Sequence, residues 1–299
     1  MYDAIIVGGG PAGLSAALVL GRCCRRVVVC DSGVYRNACS TESHSFFTRD
    51  GAPPAELLRI GREEIAAYGV ELLSTSVSTA CQSGAGFQVS LENGAVLESR
   101  KLLLATGVKD KVPEIPGIQD LYGKSVHHCP YCDAWEWRDR PVAIYGRKSH
   151  GHALALNLRH WTKDLVLLTD GQGSPSRKRA TELERFGIRV ITHPIERVEG
   201  ENGRLQRILF KNGEQIERSA MFFTTGQDQC CDLATRFGCL FNNRGTVKVN
   251  LKGETNVPGL FVAGDASRDV QFVVVAASEG AKAGVAIHEQ LRAEECARE

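Results

Sequence analysis

The sequence predicts an α/β protein of two three-layer domains, the first interrupted in the chain by the second. Three observations carry that expectation: a strand, glycine turn, helix and strand at the N-terminus; a second unit of the same pattern beginning at Val142; and a closing strand and helix after a proline-glycine linker. The length agrees, because 299 residues stand at the top of the ~250–300 range where single cores stop growing.

The first unit runs from an apolar strand at Ala4-Ile5-Ile6-Val7 through Gly8-Gly9-Gly10-Pro11-Ala12-Gly13 into a helix at Leu14–Leu20. It closes on Val27-Val28-Val29-Cys30-Asp31. Gly8, Gly10 and Gly13 fit G-x-G-x-x-G in its proper context. The first makes a tight turn, the second lets a pyrophosphate approach the backbone, and the third lets helix pack on strand. Asp31, at the end of the next strand, stands where an acid takes the ribose hydroxyls of an adenine dinucleotide. A glycine-rich turn with no ligand is the competing reading, and Asp31 weighs against it.

Lys101–Thr106 reads as a buried strand ending at Gly107, and Pro113-Glu114-Ile115-Pro116-Gly117 as a linker. The second unit runs from Val142-Ala143-Ile144-Tyr145 through Gly146-Arg147-Lys148-Ser149-His150-Gly151 to Leu165–Asp170. Aligned on the first, it keeps two glycines but has Lys148 for the middle one. Asn256–Asp265 gives linker, strand and turn, and a helix rich in small residues follows from Val274 to Leu291. Two Rossmann-like nucleotide-binding domains are therefore expected, one over 1–113 and 247–299, the other over 114–246.

Composition excludes several classes. Hydrophobic residues make up 43% and charged residues 24%, as in an ordinary globular protein. With 36 basic against 35 acidic residues, no global field would hold nucleic acid or an anionic membrane. Apolar runs such as Phe272–Ala277 fall far below the ~18 residues of a membrane span. The N-terminus shows no basic leader, so a cytoplasmic location is expected. Eleven cysteines, an odd number at scattered spacings, do not describe a secreted disulfide framework.

Cys129-Pro130-Tyr131-Cys132 places two thiols close enough to form and break a disulfide on a turn entering a helix, whose N-terminus would favour a thiolate. Half of a zinc site, a structural pair and a glutaredoxin-type motif compete with that reading. Zinc would want two further ligands, and no second C-x-x-C exists although His127 and His128 are adjacent. Either histidine could stabilise a thiolate or serve the core. Trp135 and Trp137 could stack on a ring or pack inside. No metal is expected.

These motifs together, GGGPAG, LLLATG, CPYCD and NVPGLFVAGDA with Gln271 beyond, resemble the low-molecular-weight thioredoxin reductase family across essentially the whole chain. The resemblance implies FAD in the discontinuous domain, held by Gly8, Gly10, Pro11, Ala12, Gly13, Asp31, Thr106, Gly107, Gly264 and Asp265. Gln271 would lie near the isoalloxazine, and Asn37 and His44 in a segment that passes the flavin or forms a surface loop. It implies that Cys132 works against the flavin, that Cys129 exchanges with substrate, and that Asp133 moves a proton. The partner implied is a thioredoxin-like protein or small disulfide or dithiol, and a homodimer is a family expectation.

The second unit departs from members that use NADPH. It lacks the middle glycine, and Asp170 stands where a 2′-phosphate would be repelled, although Arg177, Lys178 and Arg179 follow. NADH or a second FAD remains open there, against loss of the site. Relatives lacking nicotinamide include dithiol oxidases of the gliotoxin and holomycin type, which use oxygen, and reductases fed by ferredoxin or a second flavin. The expected activity is FAD-dependent disulfide/dithiol exchange. An NAD(P)H-dependent thioredoxin reductase, an oxygen-using dithiol oxidase and a non-turnover flavin sensor are the alternatives.

Overall fold

The computed structural model describes residues 1–84, 86–268 and 270–297. They form two compact units, Met1–Ala38, Ser45–Lys109 and Asp228–Glu299 in one, Cys39–His44 and Asp110–Gln227 in the other.

The first unit opens with β1 (Tyr2–Val7), α1 (Pro11–Arg22) and β2 (Val27–Cys30). There follow α2 (Pro54–Ala66), β3 (Glu71–Leu73), β4 (Val77–Ser83), β5 (Gly86–Leu91), β6 (Val96–Leu104) and β7 (Val108–Asp110). Strands run in the order β3-β2-β1-β6-β5-β4, with β1, β2, β3 and β6 parallel and the β4–β5–β6 meander antiparallel. The central parallel strands are apolar throughout because both their faces are covered. Ala4, Ile6, Val27, Val29 and Leu103 pack on one side, with α1 residues such as Ala16 and Leu20. Ile5, Val7, Val28, Leu102 and Leu104 pack on the other, with Phe87 and Val89.

The second unit comprises β8 (Val126–His127), α3 (Pro130–Asp133), β9 (Val142–Gly146), α4 (Lys148–Leu158), β10 (Leu165–Leu168), α5 (Arg177–Arg185), β11 (Arg189–Ile191), β12 (Ile195–Glu201), β13 (Arg204–Phe210), β14 (Gln215–Glu217) and β15 (Ala220–Thr224). A parallel sheet of order β11-β10-β9-β15-β8 is its middle layer. Val142, Ile144, Leu165 and Leu167 face Leu154, Leu158 and Leu183 of α4 and α5. Ala143, Tyr145, Val166 and Leu168 face Ile195, Val198, Ile208 and Phe210 of the antiparallel β12-β13-β14 sheet. Period-two alternation thus sends successive residues to opposite layers, and the α/β three-layer expectation holds.

After β16 (Gln227–Gln229) come α6 (Leu233–Arg236), β17 (Leu260–Val262), a 3-10 turn at Gly264–Ala266 and α7 (Val273–Cys296). β17 adds to β6 in parallel, Leu260 beside Leu102. The return to the first unit falls at Asp228 rather than the expected 247. Its physical reason is that Leu233, Ala234 and Cys239 belong to the apolar cluster of Phe87, Val257 and Leu260, with the Phe87 and Phe237 rings edge to face at 5.8 Å.

Helix α7 buries Ala276, Gly280, Ala283, Gly284, Ile287 and Leu291 on one stripe. A side-chain carbon at Gly280 would overlap the Ala12 carbonyl oxygen of α1, so overpacking by one methyl should cost ~1–3 kcal/mol. The end of α7 is tied down by charge. Glu295 pairs with Arg25 at 2.7 Å and Arg100 at 2.5 Å, while Glu294 pairs with Arg100 at 3.0 Å and also with Lys101. Bonds from Arg25, then Arg100, pull the Glu295 carboxyl from 4.5 down to about 2. A carboxyl lowered by folding contributes stability above its unfolded value and loses it as pH falls toward the folded one. The stability gap between wild type and Glu295→Gln in urea melts should therefore be largest at neutral pH and close as pH falls to about 2.

Candidate active site

In the first unit the three motif glycines do different work. Gly8 has φ +110°, and a side-chain carbon there would overlap the Ala105 carbonyl at the end of β6. At Gly13 such a carbon would overlap the Gly8 carbonyl, so α1 lies as close to the turn as backbone permits. At Gly10 it would meet nothing within 4 Å among the described residues. That is an open cradle before the N-terminus of a twelve-residue helix, with Pro11 in its first turn and Ala12 buried. The N–H groups that a helix leaves without intrahelical partners in its first turn, together with the helix dipole, suit such a place to a pyrophosphate.

Asp31 is buried at the end of β2. It accepts bonds from the Gly33 N–H at 3.1 Å, Arg62 at 3.2 Å and the Tyr35 hydroxyl. Burial, and then the bond to Asp31, push the Tyr35 phenol up to about 12, which keeps it a donor. Thr106 and Gly107 leave the end of β6 half-buried, and the Gly107 carbonyl accepts the Cys230 N–H at 3.3 Å.

Gly264 opens the 3-10 turn with φ +77°. Asp265 beside it pairs with Arg36 at 2.8 Å, and the same guanidinium donates to Gln271 Oε1 at 2.6 Å. Arg36 thus brings two expected residues together, and sequence reading missed it. Its only signal was adjacency to Asn37, which is half-buried next to it. His44 groups with the second unit, with Nε2 3.4 Å from Glu42 and 3.6 Å from Glu136.

In the second unit Cys129 and Cys132 form a disulfide with Cα atoms 5.4 Å apart. Cys129 precedes α3, Pro130 supplies its first position, and the Asp133 N–H donates to the Cys129 carbonyl at 3.3 Å. α3 has four residues, so the helix dipole expected to favour a thiolate amounts to a single turn. The two sulfurs are bonded to each other, and the described residues hold no cluster of three metal-ligating side chains.

Asp133 and the histidines form defined contacts. His127, 5% exposed, has Nδ1 3.3 Å from Asp133 Oδ1, and the Trp137 indole donates to its Nε2 at 3.1 Å. His128 Nδ1 lies 3.6 Å from Asp110, which also accepts the Tyr122 hydroxyl at 3.0 Å. The tryptophans part company: Trp137 packs on the helix-side core, whereas Trp135 is 63% exposed with Arg138 stacked at 4.3 Å. Tyr131, between the cysteines, is also exposed. The remaining nine cysteines are thiols, and burial pushes Cys30 up to about 12.

The second glycine turn repeats the packing, with Lys148 in the place of the middle glycine. A carbon on Gly151 would stand 2.6 Å from the Gly146 carbonyl. Lys148 takes φ +50° and starts α4 one position earlier than α1 starts relative to its own turn. Asp170 Oδ1 accepts the Ile195 N–H at 2.7 Å and Oδ2 the Tyr145 hydroxyl at 3.1 Å.

A reducible cysteine pair on one three-layer unit and a dinucleotide cradle on another define a disulfide oxidoreductase. Residues 2–280 match the model of the pyridine nucleotide-disulphide oxidoreductase family, and the chain belongs to that family as a flavin-dependent, thioredoxin reductase-like member. It is similar to thioredoxin reductase aclD of Aspergillus oryzae, at 30% identity over 100% of this chain and 99% of the relative. The crystal structure of HlmI superposes with a TM-score of 0.95 at 34% identity, covering 99% of this chain and 94% of that one. An oxidoreductase of Agrobacterium tumefaciens gives 0.90 at 30% identity, covering 97% and 98%.

The family binds FAD, and the open side of Gly10 fits it. A branched side chain should fill that space without disturbing the fold. Gly10→Val is expected to purify folded but without yellow colour, whereas Gly13→Val, which forces α1 off its strand, should lose soluble protein. Flavin absorbance per chain and a thermal melt separate the two.

Proposed function

We propose that the chain exchanges electron pairs between FAD in the first unit and a dithiol or disulfide substrate, by way of Cys129–Cys132, and that the second unit does not take NADPH. Gly8, Gly10, Pro11, Ala12, Gly13 and Asp31 hold the adenosine and pyrophosphate half of the cofactor. Thr106, Gly107, Gly264 and Asp265 line the rest, with Gln271 and Asn37 toward the ring. FAD supplies a two-electron store that cycles with the cysteine couple.

The observation that carries the second clause is the contrast between the two glycine turns. Gly10 faces open space, while its counterpart Lys148 is a long side chain on a left-handed backbone. Asp170 adds a negative charge at the strand end, where a 2′-phosphate would have to sit. Arg177 and Lys178, exposed in the first turn of α5, are the nearest basic candidates in sequence.

With a dithiol substrate, its first thiolate attacks Cys129, the Cys129–Cys132 bond breaks, and Cys132 leaves as thiolate. The second substrate thiolate then attacks the mixed disulfide, the substrate closes its own S–S bond, and Cys129 leaves as thiolate. The substrate has lost one electron pair, the protein couple has gained it, and Asp133 and water carry the protons. A disulfide substrate runs the same steps backwards. Exposed Tyr131, within the pair, and Trp135, just beyond it, offer aromatic surface to the incoming sulfur compound. The relatives named thioredoxin reductases favour a thioredoxin-like protein as one such substrate.

Anaerobic mixing tests this directly. Dithiothreitol should bleach the flavin of the wild type and NADPH should not; rapid bleaching by NADPH would overturn the reading of Lys148 and Asp170. Cys132→Ser should abolish bleaching by the dithiol, and full turnover in that variant would falsify the relay.

A further inference from the structure

We infer that Trp137 and His127 are positioning residues for the thiol exchange. Trp137 fixes the tautomer of His127, and His127 in turn orients Asp133. This rests on the proposed role of Cys129–Cys132, with Asp133 as its proton carrier.

The argument starts from donors. An indole N–H can only donate. Trp137 Nε1 lies 3.1 Å from His127 Nε2, so that nitrogen must accept and carries no proton. A neutral imidazole then has its proton on Nδ1, which stands 3.3 Å from Asp133 Oδ1 and turns the positive end of its N–H dipole toward the carboxylate. The alternative tautomer would set two N–H groups against each other at Nε2 and leave Nδ1 facing a carboxylate with no proton between them. At a ring 5% exposed, water cannot relieve either conflict.

The line Trp137 to His127 to Asp133 is therefore directional. Nδ1 is already protonated and Nε2 is covered by the indole, so His127 cannot store the proton that Asp133 exchanges with a thiol. It orients the carboxylate and does not relay. The anchor is rigid, because His127 lies in β8 opposite Phe222 of β15, with the two rings 5.3 Å apart. Asp133 closes the one-turn helix that follows Cys129 and carries Cys132. The network thus ties the reactive turn to the central sheet through a single carboxylate geometry.

Two readouts on the full holoenzyme test this. Long-range proton–nitrogen correlation spectra of histidine-labelled protein, assigned by the signal lost in His127→Asn, should show His127 protonated at Nδ1 at neutral pH. In Trp137→Phe, which removes the donor facing Nε2 while Asp133 still favours Nδ1, the fraction protonated at Nε2 should rise above that of the wild type. A wild-type His127 protonated at Nε2 overturns the proposal whatever the activity.

The second readout is exchange of Cys129–Cys132 with dithiothreitol, quenched by iodoacetamide and followed by counting thiols, so that it does not depend on flavin colour. His127→Asn places an amide N–H near the Nδ1 position and should recover most of the rate. His127→Gln, whose amide reaches toward Nε2, and His127→Leu should be slower by ~10-fold or more, part of the ~10²–10⁴ that a positioned acid–base group supplies. Equal rates in the Asn, Gln and Leu variants overturn the proposal. Failure of the flavin reading would instead appear as absent bleaching with the histidine spectrum as expected.

Discussion

Each unit depends on how closely its first helix lies on its first strand. Gly13 presses against the Gly8 carbonyl, and Gly151 against that of Gly146, at separations that leave no room for a side chain. That contact sets the direction of α1 and α4, and through them where the parallel strands end and the loops begin. In the first unit a second close approach, Gly280 on Ala12, lays α7 across the same helix. Two small-residue contacts therefore hold the framework around which Asp31, Asp265 and Gln271 are arranged.

The two turns share this packing and differ in what it leaves open. Gly10 has space above it, and Lys148 puts a long side chain on a left-handed backbone at the matching place. Duplication preserved what the backbone needs and let the ligand-facing position change. The second unit also carries the reducible couple, whose one-turn helix has too little dipole to tune a thiol by itself. Beside it stand Asp133, His127 and Trp137, in contact at 3.3 Å and 3.1 Å.

Much of this could be read from residues whose roles are local. Gly8, Gly10 and Gly13 declare their turn because each meets its constraint within a few positions of chain, and the spacing of Cys129-Pro130-Tyr131-Cys132 suggests a pair whose redox reading needs the other family motifs beside it. Residues whose meaning comes from distant partners stayed silent. Arg36 is one more arginine until Asp265 and Gln271 fold against it. Asp228 as the point of return was hidden because α6 has only four residues and acquires its core through Phe87 and Leu260. His44 looked like part of the flavin segment by position, yet its short segment groups with the second unit. The tautomer of His127 depends on an indole ten residues away and on burial that no pattern of letters displays.

The central claim is that two redox couples in one polypeptide share electrons. Anaerobic coulometric titration of the purified protein measures it most directly. Wild type should take up two electron pairs per chain, one for the flavin and one for the disulfide, and a Cys129→Ser, Cys132→Ser variant should take up one, since each centre is a two-electron couple. Equal uptake by the two proteins, or a wild type that accepts a single pair, would contradict it.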